Sequence, residues 1–205
     1  MKITHGQSIK VVKNILRNKI VNQRKIKSET NVSLGRINEI CQGLREINIL
    51  KKDGQHYVLS DPFELLKLIS FERSLNRLEL STIRLPYNTI NDCEKYLTEI
   101  LNKNTTRYAF TCFSGLKFYY EYHISYPLIH VYIDNTNILK EIEAGQGPIP
   151  VIFLKIDNED IIEESIQKDD KNVCDKVQIL IDLYSSDLGK DAAYDFIKVI
   201  RNEFQ

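Results

Sequence analysis

A group of polar residues between positions 24 and 56 has the chemistry needed to bind nucleic acid. Lysine and arginine neutralise phosphates, and hydroxyl and backbone N–H groups donate hydrogen bonds to them. Arginine also pairs with the edge of guanine, and the amides of asparagine and glutamine pair with adenine. The candidate DNA-binding residues are Arg24, Lys25, Lys27, Ser33, Gly35, Arg36, Asn38, Gln42, Lys51, Lys52 and His56. Their types and close spacing predict a surface for double-stranded DNA.

These candidates divide into base-reading and phosphate-binding groups. Arg36, Asn38 and Gln42 have the donors and acceptors that read base edges in the major groove. The hydroxyl of Ser33 and the backbone near Gly35 are expected to reach phosphate. The remaining cations are expected to contact phosphates or the adjacent minor groove.

The stretch from residue 23 to residue 60 has the pattern of a helix, a tight turn, a second helix and a hairpin. Asn31 tolerates the left-handed conformation that the turn needs, and Ser33 can cap the second helix. Asp53-Gly54 is a strong hairpin signal. A further helix is predicted over residues 7–19, with Ile20 on its buried stripe. This order predicts a winged helix-turn-helix domain. The apolar face of the second helix of the pair is predicted to contain Ile37, Ile40, Cys41 and Leu44.

Charge is divided unevenly along a chain whose net charge is zero. Residues 1–60 contain 12 Lys and Arg against 4 Asp and Glu, a balance of +8. Residues 61–205 contain 16 against 24, a balance of −8. A basic first part on an acidic remainder predicts that only the first part meets a polyanion. The alternative is a basic surface that is merely solvated.

Composition predicts a cytoplasmic protein. The hydrophobic share of 42% and the charged share of 27% are those of an ordinary globular chain. The first residues lack the apolar core of a secretory signal, and no apolar run approaches the roughly 18 residues of a membrane span. The cysteines at 41, 93, 112 and 174 are too far apart for a CxxC pattern, so neither a zinc site nor a disulfide framework is predicted.

Beyond residue 60 the pattern predicts a connecting helix over residues 61–80 and a C-terminal α/β domain over residues 81–205. Asp61 and Pro62 suit the N-cap and the first position of that helix. The broad apolar surface of the helix predicts either a dimer contact or packing on the C-terminal domain. Alternating strands and helices then indicate a mixed sheet, so the fold class is α+β or α/β. Strands are predicted over residues 82–85, 107–112, 128–133 and 151–156, and helices over residues 88–103, 113–122, 136–144, 175–184 and 190–201.

An enzyme of the nucleotidyltransferase class is one alternative for this domain. Asp134 and Asp157 each follow a strand, but such an enzyme needs two carboxylates that share magnesium. Tyr132 occupies the position where the partner of Asp134 would stand. P-loop and GxGxxG patterns are absent, and His123 and His130 have no suitably spaced metal partner. We therefore predict no catalytic residue, no metal ligand and no cofactor.

Three stretches resemble prokaryotic winged-helix transcriptional regulators of the AbiEi-type antitoxin group. They are VSLGRINEICQGLREINILKKDGQHYVLSDPFELLKLI over residues 32–69, RYAFTCFSGLKFYYEY over residues 107–122 and VQILIDLYSSDLGKDAAYDFIKVI over residues 177–200. The three stretches are spread between residues 32 and 200, so the resemblance extends along most of the chain. It implies DNA binding, autoregulation of an operon, and neutralisation of a partner nucleotidyltransferase toxin without a tight complex.

The chain is therefore predicted to be a DNA-binding transcriptional regulator. The resemblance further implies the antitoxin and autorepressor of a type IV toxin–antitoxin operon. Expected partners are double-stranded DNA, a second copy of the chain on a two-fold site, and a cognate toxin as a functional partner; no membrane is expected. The second alternative is a protein-interaction module in which the winged helix contacts protein.

Overall fold

The protein is a mixed α+β structure that divides into two compact units. The computed structural model describes residues 2–122 and 127–202, with side chains up to residue 200. The first unit contains the residues up to Ser74 and those from Ile197 onward, and the second runs from Leu75 to Phe196. His123 lies outside the described residues.

The described residues of the first unit up to Ser74 form helices around a small antiparallel sheet. The strand order of the sheet is β1-β3-β2. The elements are α1 (Ser8–Arg17), β1 (Ile20–Val21), α2 (Gln23–Thr30), α3 (Leu34–Glu46), β2 (Leu50–Asp53), β3 (His56–Leu59) and α4 (Pro62–Glu72).

The core of the first unit follows the predicted helical spacing on α3. All four apolar residues predicted to face inward there are fully buried, as is Ile26 of α2. Ile20 is different: it is 55% exposed, so its predicted place on the buried stripe of α1 is wrong. The reason is that α1 ends at Arg17, and Ile20 pairs with Val58 as part of β1.

The predicted connecting helix ends well before residue 80. Its start is as expected, because Asp61 accepts a hydrogen bond from the backbone N–H of Phe63 at 2.8 Å and Pro62 opens the helix. The helix stops at Glu72, since the backbone of Arg73 leaves the helical region with φ −132° and ψ 75°. Leu75–Leu78 form a 3₁₀ helix and the chain then enters a strand, so a single helix over residues 61–80 is wrong.

The second unit is built on a six-stranded mixed sheet, as the alternation of elements predicted. Its strand order is β4-β7-β6-β5-β9-β8. The pairs β6–β7 and β5–β9 are parallel, and the other pairs are antiparallel. The elements are β4 (Glu79–Arg84), α5 (Ile90–Lys103), β5 (Tyr108–Thr111), α6 (Cys112–Leu116), β6 (Ile129–Ile133), β7 (Pro150–Lys155), α7 (Asp160–Glu163), β8 (Ile166–Lys168), β9 (Lys171–Val173) and α8 (Lys176–Ser185). The last described helix, α9 (Lys190–Asn202), begins in this unit, and its residues from Ile197 onward are assigned to the first.

Several predicted elements of this part differ from the structure. The helix expected over residues 113–122 is confined to Cys112–Leu116. After it the chain forms turns, in which the backbone N–H groups of Phe118 and Tyr119 donate to the carbonyls of Gly115 and Leu116. The helix expected over residues 136–144 is a short 3₁₀ helix, Thr136–Lys140. The β8–β9 hairpin was not predicted, since its strands are three residues long and mostly polar.

Among residues 2–122 and 127–202, none of the helices has the length and apolar character that crossing a membrane requires.

Candidate nucleic-acid interface

The turn between α2 and α3 has the geometry that its residue types predicted. Asn31 adopts the left-handed conformation, with φ 56° and ψ 19°. The Ser33 hydroxyl accepts a hydrogen bond from the backbone N–H of Arg36 at 3.4 Å and so caps α3. Asn22 caps α2 in the same way, through a bond of 2.8 Å from the N–H of Lys25. Both helices therefore begin at fixed positions, which sets the direction of their side chains.

A chain of side-chain amides connects α3 to α2 and to the hairpin; we call it the amide chain. The Gln23 amide nitrogen donates to the Asn38 side-chain oxygen at 3.0 Å and to the Tyr57 hydroxyl at 3.2 Å. The Gln42 amide nitrogen donates to the same Asn38 oxygen at 3.5 Å. Asn38 is half-buried and Gln42 is exposed. These contacts fix the orientation of the Asn38 amide: its oxygen faces Gln23 and Gln42, and its nitrogen is on the opposite side.

Gln23 and Tyr57 were not among the predicted site residues. Their sequence positions, at the start of α2 and in β3, carry no spacing signal that joins them to Asn38. Only the tertiary contact of α2, α3 and the hairpin brings the three side chains together.

The Arg36 guanidinium has partners inside the first unit. Its Nε and Nη2 donate to the Ser8 hydroxyl at 3.0 and 2.6 Å, and Nη2 also donates to the Lys2 carbonyl at 3.1 Å. Its Nη1 pairs with the Glu39 carboxylate at 2.7 Å. These bonds use most of the donors of the guanidinium. They give Arg36 a structural role within the first unit, and its predicted base reading stays a prediction.

The predicted phosphate-binding cations of α2 lie at the surface. Arg24, Lys25 and Lys27 are all exposed. Lys25 has a partner on its own helix, since its ammonium lies 3.7 Å from the Glu29 carboxylate. Among the described residues, Arg24 and Lys27 have no ion-pair partner, so their charges are open to an external anion. No acidic residue stands in the first turn of α2, which leaves the positive end of the helix dipole uncompensated.

The two lysines of the hairpin belong to opposite faces of the small sheet. Lys51 pairs with Val58, and Lys52 pairs with Tyr57. Because side chains alternate along a strand, Lys52 is on the same face as Tyr57 and the amide chain, and Lys51 is on the other face. His56 pairs with Asp53, which puts it on the face of Lys51. All three candidates are exposed.

The hairpin loop lies one residue later than the Asp53-Gly54 pair that predicted it. Asp53 and His56 are paired, so the two loop residues are Gly54 and Gln55. Gly54 has φ 56°, the positive value that the first position of a tight hairpin loop requires. Lys51 and Lys52 are consequently part of a strand, where their directions are set by the pleat.

Gly35 is exposed on the first turn of α3, and a Cβ atom built there would meet no heavy atom within 4 Å. The backbone at this point is therefore open to a close approach by a phosphate group. Ser33 is also exposed, so its hydroxyl can serve both as the cap of α3 and as a donor to an anion.

Two residues of the second unit that were weighed for catalysis, Asp134 and His130, are held within the fold. The Asp134 carboxylate accepts from the Arg107 backbone N–H at 3.1 Å and from its Nε at 2.8 Å. His130 is buried in β6, and this burial lowers its pKa to about 4. The described residues contain no group of three His, Cys, Asp or Glu side chains placed to hold a metal ion.

Comparisons with known proteins do not extend this description: no protein-family model, no curated protein and no solved structure matches the chain.

Proposed function

We propose that the chain is a DNA-binding transcriptional regulator whose first 60 residues act as a winged helix-turn-helix. The observation that carries the proposal is the joining of α2 and α3 by a capped, left-handed turn beside a hairpin that bears exposed lysines. The order of helix, short strand, two helices and hairpin is that of winged-helix readers. In this proposal α3 enters the major groove and the hairpin is the wing.

Asn38 and Gln42 are the base-reading side chains in this proposal. The amide chain supports that role, because it orients the Asn38 amide before DNA arrives and lowers the entropy that binding must offset. The Asn38 oxygen already accepts from Gln23 and Gln42, so the Asn38 nitrogen is the group that would donate to a base acceptor such as N7 of a purine. Arg36 is left out of the reading set, since its donors are occupied by Ser8, Lys2 and Glu39.

Phosphate contacts are assigned to the exposed cations of α2 and of the wing. Arg24 and Lys27 are exposed on α2, the helix that also contributes Gln23 to the amide chain, and Lys52 is opposite Tyr57 on the small sheet. The charge balance of +8 in residues 1–60 supports a polyanionic partner. The second unit would serve regulation or assembly. The resemblance to AbiEi-type regulators would make the controlled operon one that also encodes a toxin.

The test is binding of the full chain to genomic DNA fragments, including the region upstream of its own gene, at two or more salt concentrations. Tight binding to one fragment over a random fragment, weakening steeply with salt, is the expected result. Binding that is weak and equal for all fragments, or absent, would overturn the proposal and favour a protein partner for this surface.

A double variant, Arg24→Ala with Lys27→Ala, tests the placement of the surface. Loss of two phosphate contacts should lower the slope of log affinity against log salt by about 2. Lys103→Ala is the matched control, because Lys103 is an exposed lysine at the end of α5 in the second unit. An equal effect of the control and the double variant would contradict the placement.

A further inference from the structure

The two ends of the Asn38 side-chain amide differ in what they can still bind. Its oxygen accepts from the amide nitrogens of Gln23 and Gln42, at 3.0 and 3.5 Å. An amide oxygen has two lone pairs, so both are in use. The Asn38 nitrogen is accessible to solvent and has no hydrogen-bond partner among the described residues. Asn38 therefore offers only N–H groups to an incoming molecule.

Gln23 determines which end of the Asn38 amide faces inward. It is the first residue of α2, and its amide nitrogen also donates to the Tyr57 hydroxyl at 3.2 Å. Tyr57 is only 5% exposed, so the core of the unit holds its ring. The two N–H groups of Gln23 thus have two acceptors on different elements. With a nitrogen of Gln23 facing it, Asn38 turns its oxygen inward and leaves its nitrogen outward.

This orientation changes which base Asn38 is suited to read. In the major groove guanine presents two acceptors, N7 and O6, whereas adenine presents the acceptor N7 beside the N6 donor. The usual pairing of asparagine with adenine needs both ends of the amide, because the oxygen must accept from N6. The Asn38 oxygen is already occupied, so its N–H groups suit guanine and would meet a second donor at adenine.

We propose that Gln23 is a positioning residue that makes Asn38 select guanine over adenine. The inference rests on the proposed function, in which α3 enters the major groove. Gln23 does not contact the base in this arrangement and acts through the Asn38 oxygen alone.

DNA probes that differ at one base test the selection with the full chain. The position is found first in the bound fragment, as the base pair whose replacement no longer changes the affinity of Asn38→Ala. Guanine, hypoxanthine and adenine are then placed there, each opposite its complement. Wild type should bind adenine about tenfold more weakly than guanine. Hypoxanthine is the matched probe and should bind like guanine, because it keeps N7 and O6 and lacks only the minor-groove amine.

Gln23→Glu tests the positioning role. A carboxylate has no N–H to donate, so the Asn38 nitrogen should turn towards it and the oxygen towards the base, which reverses the preference to adenine. An acidic residue at the start of α2 suits the helix dipole, so the variant should fold. Damage to the fold would weaken binding of every probe and would not reverse their order. Gln55→Glu is the matched control: it adds the same charge in the hairpin loop and should keep the preference for guanine.

The outcomes separate this inference from the proposed function. Specific DNA binding in which wild type prefers adenine, or in which Gln23→Glu still prefers guanine, would overturn the inference alone. The same holds if no base pair becomes indifferent in Asn38→Ala. Equal binding of all DNA fragments by wild type would overturn the proposed function and this inference with it.

Discussion

The Arg36 guanidinium connects α3 to the beginning of the chain, through Ser8 and the carbonyl of Lys2. An arginine at the start of a DNA-facing helix is the residue type expected to read guanine. Residue type alone cannot separate these two roles, because the same planar donor group suits a buried serine and a base edge. What separates the two roles is that Ser8, on α1, lies within hydrogen-bond distance of Arg36 on α3. This closeness exists only in the folded unit.

Arg36→Ala is therefore expected to lower the free energy of unfolding by about 1–2 kcal/mol, since several hydrogen bonds of a charged group are lost. Urea unfolding of the full chain measures this change. Arg45→Ala, at an exposed position in the last turn of α3, should change it by less than about 0.5 kcal/mol. If the Arg36→Ala variant kept its stability but discriminated less between bases at one position of the DNA site, Arg36 would be a base-reading residue after all.

His130 makes the stability of the protein depend on pH. Burial lowers its pKa from 6.5 to about 4, because the charged imidazolium loses its hydration. Between these values the unfolded chain binds a proton that the folded chain does not. The contribution is therefore fully present above about pH 6.5 and is lost as pH falls towards 4.

The His130→Phe variant should lose this pH dependence. The wild-type free energy of unfolding should fall more steeply between pH 6.5 and pH 4, by up to about 1.4 kcal/mol per pH unit relative to the variant. Denaturant titrations at several pH values measure the difference. Parallel curves for wild type and His130→Phe would contradict the prediction, because they would mean that His130 has the same pKa in the folded and the unfolded chain.

The turn between α2 and α3 is the element on which the proposed reading geometry depends. Asn31 is left-handed, with φ 56°. A β-branched residue is strained there, so Asn31→Val should destabilise the protein by about 1–2 kcal/mol, while Asn31→Gly should be close to neutral. Thermal and urea unfolding compare the two variants. Equal loss in both would mean that the Asn31 side chain matters more than its backbone.

The β2–β3 hairpin presents its lysines on two faces, so under the proposed function they are expected to contribute unequally to DNA binding. Lys52 is on the face of Tyr57 and the amide chain, and Lys51 is on the opposite face. Lys52→Ala should weaken DNA binding at all sequences and reduce the salt slope by about 1, with a smaller effect of Lys51→Ala. Titration of one labelled fragment over a salt series measures both. A larger effect of Lys51→Ala would mean that DNA meets the other face of the sheet.

Prediction of elements succeeded where local signals agree and failed where they compete. On α2 and α3, the cap, the left-handed asparagine and the apolar spacing all indicate the same bounds. After Glu72 no glycine or proline marks the end of the helix, and the apolar residues that follow suit either a helix or a strand. Residues 79–84 form a strand because they pair with β7, which lies about 70 residues further along the chain.

At the scale of the whole molecule, the sequence predicts the division of charge and the mixed sheet, but not the groups that tertiary contacts assemble. The Glu94 carboxylate meets Lys117 and Lys171 only because α5, the turn after α6 and β9 converge. The amide chain similarly needs Gln23, Asn38 and Tyr57 from three elements. Such sets have no periodic spacing, so pattern reading has no means of finding them.

The order of strands in the larger sheet has a consequence for synthesis on the ribosome. β5 lies between β6 and β9, and all four of its residues are buried. Its pairing with β9 joins Phe110 to Val173, so that edge stays open while some 60 further residues are translated. An unpaired apolar edge attracts strands of other chains. We therefore expect a chain that ends before Lys171 to aggregate more than the full chain, because the β9 edge of β5 stays unpaired in it.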